Sequence, residues 1–345
     1  MYKELFNQLK KIYFSGDLRS FKKLLTSAPS GFMNSDYLRY LTALVNRHEC
    51  KDRSLWQKDY DTGLSLGLRQ TYSNPKLSLD LSNINENQHI LICAEEGLGD
   101  FIRHLFYVNK IIELGCKVSL LVPPKIKPLV QYNFHQCNVV SEIPDVVYDI
   151  ILASGSLEGL FWDKQDGAQG SGYLKAEEIS LYPNKLHKAI GVCTTSTKVD
   201  PVRALNYTTL VDYGYLFQEI EFTCVSLQYS HDLDEIREAE STFSDSLIHF
   251  PSYDFFNDIN TLAFVISQLD KVISTSTLVA DLSNALGIYT YRIHTLDTQY
   301  KAGNSRSRQC DRLWYGQGCE IVYKYSDESW EDFMRILKKI VFPNK

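Results

Sequence analysis

No cysteine in this chain belongs to a Cys-x-x-Cys pair. The eight cysteines stand singly at 50, 93, 116, 137, 193, 224, 310 and 319, so the spacing spells out neither a disulfide framework nor a zinc site. Cys93, Cys193 and Cys224 fall inside apolar runs, where a reduced thiol acts as a small hydrophobe. The histidines at 48, 89, 135, 187, 231, 249 and 294 show no paired metal spacing either, and no metal is expected. No apolar run approaches the roughly 18–20 residues of a spanning helix. The N-terminus Met1-Tyr2-Lys3-Glu4-Leu5 carries an acid where a signal sequence needs a long apolar core. These absences predict a cytoplasmic chain without a transmembrane segment, for which peripheral membrane contact stays open. A basic excess is missing too. Thirty-six Lys and Arg against 42 Asp and Glu leave a net charge of −6, which argues against nucleic acid as a partner, because neutralising phosphates needs a basic face.

What is present suffices for a large core: 345 residues, 44% hydrophobic and 12% aromatic, a length that favours two or three domains. Residues 1–85 read as helical. Leu5, Leu9, Ile12 and Tyr13 recur at helical spacing, Ser15-Gly16-Asp17 breaks the pattern, and Leu18, Phe21, Leu24 and Leu25 resume it. A further helical run holds Tyr37, Leu38, Leu41, Leu44 and Val45, and the unit size is similar to a tetratricopeptide hairpin. We expect a helical cap over residues 1–85, a first α/β domain over 86–175 and a second over 176–345. The glycine- and serine-rich stretch 154–172 reads as a long loop or an inter-domain crossing.

The densest signal is Ile90-Leu91-Ile92-Cys93-Ala94-Glu95-Glu96-Gly97-Leu98-Gly99-Asp100. An apolar strand breaks at a Gly-x-Gly turn and feeds a helix whose apolar positions are Phe101, Ile102, Leu105, Phe106, Val108, Ile111 and Ile112. The alternating Lys117-Val118-Ser119-Leu120-Leu121 closes a β-α-β unit. Ligands of such sheets bind at the strand C-termini, where glycine lets backbone approach closely and a helix start offers free N–H groups. From spacing alone, Asp100 reads equally as a ligand-facing carboxylate or as a helix N-cap. Strand-like and helical stretches alternate again from Ala189 to Tyr291, so two parallel-sheet halves are expected.

Taken together, several stretches resemble one family. Glu95-Glu96-Gly97-Leu98-Gly99-Asp100 looks like the turn of bacterial glycosyltransferases related to the lipopolysaccharide heptosyltransferases (glycosyltransferase family 9), in the form that carries N-terminal tetratricopeptide repeats. Ser54-Leu55-Trp56-Gln57-Lys58-Asp59-Tyr60 resembles that form's linking tryptophan segment. Arg203-Ala204-Leu205-Asn206, Val225-Ser226-Leu227-Gln228, Leu269-Asp270-Lys271-Val272-Ile273, Ala285-Leu286-Gly287, Arg312-Leu313-Trp314-Tyr315 and Ser329-Trp330 match later landmarks in order and spacing.

The resemblance implies a GT-B fold, two facing Rossmann-like domains, and an inverting, metal-independent transfer of a sugar from a nucleotide-sugar donor to a glycan or protein acceptor. No cofactor is implied beyond that substrate. Asp100 would be the general base, with Glu96, Gly97, Leu98, Gly99 and His104 lining the acceptor. The donor would meet Lys198, Arg203, Gln228, Ser274, Thr275, Ser276, Thr277 and Asp281. His104, one helical turn beyond Asp100, reads either as a cleft residue that orients the carboxylate or as a partly exposed structural histidine.

One departure stands out. Where the family has an Asp-Thr-x-x-x-His pattern, this chain has Ser276, Thr277 and Asp281. That motivates a second reading, a non-catalytic nucleotide-sugar or glycan binder of the same fold. A third is a helical-repeat scaffold. Lys301, Arg306, Arg308 and Arg312 form a basic cluster in a polar stretch. Asp232-Leu233-Asp234 imitates a metal-binding motif but opens a polar helical run, so it reads as helix surface.

Overall fold

The computed structural model describes residues 1–15, 17–48, 55–78, 84–95, 97–161, 172–180, 186, 188–197, 203–229, 233–243, 246–296, 307–309 and 318–343. The chain divides after Gly170: the first unit holds Met1–Gly170, and the described residues beyond it belong to the second. Lys198, Glu96, Asp232, Lys301, Arg306 and Arg312 lie outside the described residues.

The first unit opens with helices α1 (Tyr2–Phe14), α2 (Leu18–Thr26), α3 (Ser30–Met33), α4 (Asp36–His48), α5 (Gln57–Tyr60) and α6 (Thr62–Ser65). Their apolar stripes close on one core of Phe6, Leu9, Phe32, Tyr40, Leu41, Trp56 and Tyr60. Tyr40 stacks on Phe6 with ring centroids 5.7 Å apart, an arrangement that adds a little to plain burial. Asp17 caps α2 by accepting the Ser20 N–H at 2.9 Å.

The rest of this unit is an α/β layer: β1 (His89–Cys93), α7 (Leu98–Glu113), β2 (Lys117–Leu121), α8 (Lys127–Asn133), β3 (Asn138–Val140), β4 (Ile150–Ala153) and α9 (Ser154–Phe161). The strands run parallel in the order β3-β2-β1-β4. Their near-continuous apolar composition fits a sheet covered on both faces. Because the chain steps from β1 to β2 and β3 on one side and then places β4 on the other, the strand order reverses between β1 and β4. That reversal is a topological switch point.

The glycine-rich stretch expected to be a loop instead begins with a helix. Ser154–Phe161 is helical, and Ser154 to Gly159 are all buried. Its glycines mark close packing: a Cβ on Gly155 would lie 2.1 Å from the Glu95 carboxylate, and one on Gly159 3.0 Å from Gln57. Composition alone reads the same glycines as breakers.

The second unit contains β5 (Ala189–Cys193), a 3-10 turn (Arg203–Asn206), α10 (Leu210–Phe217), β6 (Thr223–Ser226), α11 (Leu233–Phe243), β7 (Leu247–Ile248), α12 (Ile259–Ser267), β8 (Lys271–Thr275), α13 (Leu278–Ala285), β9 (Tyr289–Leu296), β10 (Ser307–Gln309), β11 (Cys319–Tyr325) and α14 (Trp330–Val341). The sheet order is β10-β11-β9-β8-β5-β6-β7. All pairings are parallel except β10 with β11, which places Arg308 opposite Ile321. Ile190, Val192, Tyr213, Leu216, Ile273, Phe333 and Leu337 form its core. Here the order reverses between β5 and β8. Asp234 sits on the exposed start of α11, paired with Arg237 at 3.1 Å, as expected of helix surface. The fold class is the expected one: α/β, two parallel-sheet units and a helical N-terminal region.

Candidate functional site

In the first unit the switch point is built by the turn after β1 and the start of α9 after β4. Gly97 is the N-cap residue of α7, with extended backbone at φ −91° and ψ 161°. Asp100 is therefore not the N-cap. It stands at the third helical position, and its Oδ2 accepts the Gly97 N–H at 3.3 Å. This is the returning half of a capping box; glycine has no side chain for the other half. The second carboxylate oxygen accepts from Arg103, one turn along the helix. The Asp100 side chain remains 36% exposed. Burial pushes its pKa up, but the Arg103 and Arg47 guanidiniums and the Gly97 N–H outweigh that and hold it below the ordinary carboxylate value. Asp100 thus has the ionised form and the partial exposure a proton acceptor needs.

His104 is 1% exposed, which corrects the partly exposed histidine of the sequence reading. It sits on the inner face of α7, and its Nδ1 hydrogen-bonds Ser154 Oγ at 3.0 Å. Burial, then Arg47 and Arg103, push its pKa well below the usual value against the pull of Asp100. A neutral imidazole is the result. Among the described residues its Nε2 has no hydrogen-bond partner.

Beneath this turn lies an ion-pair network that sequence reasoning missed. Arg69 forks onto Glu95, Nε to Oε2 at 3.1 Å and Nη2 to Oε1 at 2.6 Å. Its Nη1 donates to Asp61 at 2.6 Å and to the Tyr60 carbonyl at 3.2 Å. Glu95 also accepts the Gly155 N–H, which ties the β1 turn to α9. Arg47 from α4 donates Nε to Glu158 at 2.8 Å and Nη1 to the Tyr60 hydroxyl at 2.6 Å. Both guanidiniums lie over the Tyr60 ring, 4.6 Å and 3.9 Å from its centroid, within cation–π range. Tyr72 N–H donates to the Ala94 carbonyl at 2.6 Å, and Ser78 N–H to Ile151 at 2.7 Å. The helical region is therefore bolted to both strands of the switch point. Glu95 belongs to this framework, not to the reactive surface.

The second unit repeats the topology with different chemistry. Gln228, two residues past β6, is buried, and its Oε1 accepts the Thr194 N–H, the Thr195 N–H and the Thr194 hydroxyl, each at 3.2 Å. Gln228 thus fixes the loop after β5. At the end of β8, Ser274 and Thr277 hydroxyls meet at 2.9 Å, and Thr277 donates to Cys193 Sγ at 3.6 Å, bridging β8 to β5. Thr277 is the N-cap residue of α13, but its side chain makes no cap bond. The first N–H groups of α13 are consequently not taken by the expected hydroxyl cap. Ser274 and Thr275 are fully buried and serve the strand end, while Ser276 is exposed. Asp281 pairs with Arg292 of β9 at 2.5 Å, both buried, and Arg292 also donates to Ser276 at 3.0 Å. Asp281 thus has its own cation. Arg203 begins the exposed 3-10 turn, which is held to the C-terminal end of β9 by Thr295 N–H on Asn206 at 2.6 Å and by the Thr295 hydroxyl on Leu205 at 2.6 Å. That places Arg203 at the same sheet edge as Ser276.

Among the described residues, no group of three or more His, Cys, Asp and Glu is placed to hold a metal ion. No helix among them is long and apolar enough to cross a membrane.

No family model and no curated protein matches the sequence. Solved structures give distant matches. A glycosyl transferase family 9 protein from Veillonella parvula DSM 2008 is 10% identical at a TM-score of 0.48, over 75% of this chain and 93% of that one. E. coli heptosyltransferase WaaC with ADP is 12% identical at 0.48, over 74% and 100%. E. coli ADP-heptose lps heptosyltransferase II is 10% identical at 0.48, over 74% and 97%.

Proposed function

We propose that this chain is an inverting glycosyltransferase, needing no metal, that moves a sugar from a nucleotide-sugar donor to a hydroxyl of a glycan or protein. The observation that carries this reading is the pair of switch points. One presents an ionised, partly exposed carboxylate at a helix start, and the other presents a helix start with hydroxyls and arginines around it. The first suits proton abstraction and the second suits a diphosphate.

In this mechanism the acceptor hydroxyl lies against Asp100, with Gly97, Leu98 and Gly99 giving close backbone approach and buried His104 bracing the helix behind it. Asp100 takes the proton as the oxygen attacks the anomeric carbon from the face opposite the leaving group. The leaving nucleoside diphosphate gathers negative charge, which Arg203, Lys198 and the N–H groups at the start of α13 stabilise. Gln228 and Thr277 hold the loop and helix start in place, Ser274 and Thr275 brace the strand end beneath them, and Arg292 keeps Asp281 from repelling the phosphates.

Thermal shift against a panel of nucleoside diphosphates, ADP included, tests the donor half. A native-state ligand raises Tm as its concentration exceeds Kd. Arg203→Ala should weaken the bound nucleotide by about 1.5–3 kcal/mol, the value of a hydrogen bond to a charged group. No shift across the panel overturns the reading and leaves the helical scaffold. Nucleotide binding without any turnover of nucleotide sugars would favour the non-catalytic binder. Turnover that survives excess chelator supports the metal-free mechanism; its loss, with recovery on added magnesium, refutes it.

A further inference from the structure

The charge of this acidic chain is unevenly distributed. Residues 1–26 hold Lys3, Lys10, Lys11, Arg19, Lys22 and Lys23 against Glu4 and Asp17, a net +4 in a chain of net −6, which leaves −10 on all the rest. All six basic side chains are exposed, and none forms an ion pair with another described residue. The acids are already engaged: Asp17 caps α2, and Glu4 pairs with the terminal amine at 3.4 Å.

Five of the six cations gather at one place. Helices α1 and α2 form a hairpin, and Phe14 and Leu18 stand at its tip, 38% and 37% exposed. Lys10 and Lys11 precede Phe14 by four and three positions, and Arg19, Lys22 and Lys23 follow Leu18 by one, four and five. At a rise of about 1.5 Å per residue, all five lie within about 8 Å of the tip along the helix axes. Arg19, Lys22 and Lys23 share one face of α2, at i, i+3 and i+4. The opposite face carries Phe21, Leu24 and Leu25 against the helical core, and no residue of α2 is fully buried.

We propose that this hairpin tip docks on an anionic lipid surface, with Phe14 and Leu18 entering the headgroup layer and the five cations meeting lipid phosphates. Two apolar side chains ringed by basic ones are the composition of an interfacial contact. Each Lys or Arg near such a surface contributes about 1 kcal/mol within a Debye length of about 8–10 Å, the same depth over which these residues are spread. A nucleic acid is the weaker fit, because a polyanion longer than the tip would run into the acidic remainder of the chain. The inference stands independently of the catalytic reading.

Co-sedimentation with vesicles tests it. The full chain is expected to pellet with phosphatidylcholine vesicles containing about 30% phosphatidylglycerol, not with pure phosphatidylcholine, and to be released by about 1 M salt. Lys22→Glu with Lys23→Glu should weaken the partition at least about 25-fold, fivefold for each cation lost. Lys10→Glu with Lys11→Glu should act similarly from the other helix. Phe14→Ser with Leu18→Ser should leave a weaker, more salt-sensitive interaction. These positions are exposed, so each variant should melt as the parent does. Equal binding to neutral and anionic vesicles, an unchanged partition in both lysine pairs, or tighter binding to duplex RNA than to anionic vesicles would overturn the proposal.

Discussion

Arg69 and Glu95 lie 26 positions apart in the sequence and 2.6 Å apart in space, and neither side chain reaches solvent. The pair joins the helical region to the turn that aims Asp100. Removing one partner of a buried pair strands the other charge and costs about 3–5 kcal/mol, whereas replacing both with apolar groups costs far less. Arg69→Met should therefore lower the urea midpoint sharply, and Arg69→Met combined with Glu95→Leu should recover much of the loss. Equal destabilisation by the single and double variants would refute the coupling.

Asp100→Asn keeps the size and the hydrogen bond from the Gly97 N–H but cannot hold a proton. Turnover, read as nucleoside diphosphate release, should fall about 10²–10⁴-fold with nucleotide affinity nearly unchanged. Because its neighbours hold the Asp100 pKa below the ordinary value, the acid limb of the rate profile should lie below about pH 4. A limb near pH 6 would point to another base.

Stability should report His104. Its native pKa lies well below the usual value, so below about pH 6.5 the unfolded chain binds a proton that the native chain does not. Stability should fall with decreasing pH by up to about 1.4 kcal/mol per unit from this group. His104→Asn should start less stable at pH 8, having changed the bond to Ser154, but should lose less between pH 7 and 5. Parallel curves for the two proteins would remove His104 from the account.

A histidine in place of Asp281 should not be tolerated. Asp281→His places an imidazole beside the buried Arg292 and breaks a 2.5 Å ion pair. The variant should be destabilised by about 3–5 kcal/mol. The deficit should deepen below about pH 6.5, where the unfolded imidazole takes up a proton that Arg292 opposes in the native state. Wild-type melting at pH 6 in this variant would show that the pair contributes nothing.

The parallel strands and the turn into α7 were legible in the sequence because buried strands and amphipathic helices each write a period. Asp100, Gly97 and Gly99 could be found for the same reason: they punctuate that pattern. Arg47, Arg69 and Glu158 could not, since a buried charge looks like a surface charge until its partner, 26 or 111 positions away, is known. The start of α9 was misread because Gly155 and Gly159 serve contacts with distant residues, and local propensity counts them only as breakers. Thr277 was placed correctly at the start of α13. Its preference for Ser274 and Cys193 over the helix N–H groups depends on β5, which no local window contains.

The buried pairs also impose an order on the making of the molecule. A chain synthesised from its N-terminus completes α1 to α6 while Glu95 and Glu158 are still unmade, so Arg47 and Arg69 first emerge without the carboxylates that neutralise them. The helical region reaches its final packing only after β1, β4 and α9 have left the ribosome. A cut in the polar stretch between helices and sheet would therefore leave Arg47 and Arg69 on one piece and Glu158 and Glu95 on the other.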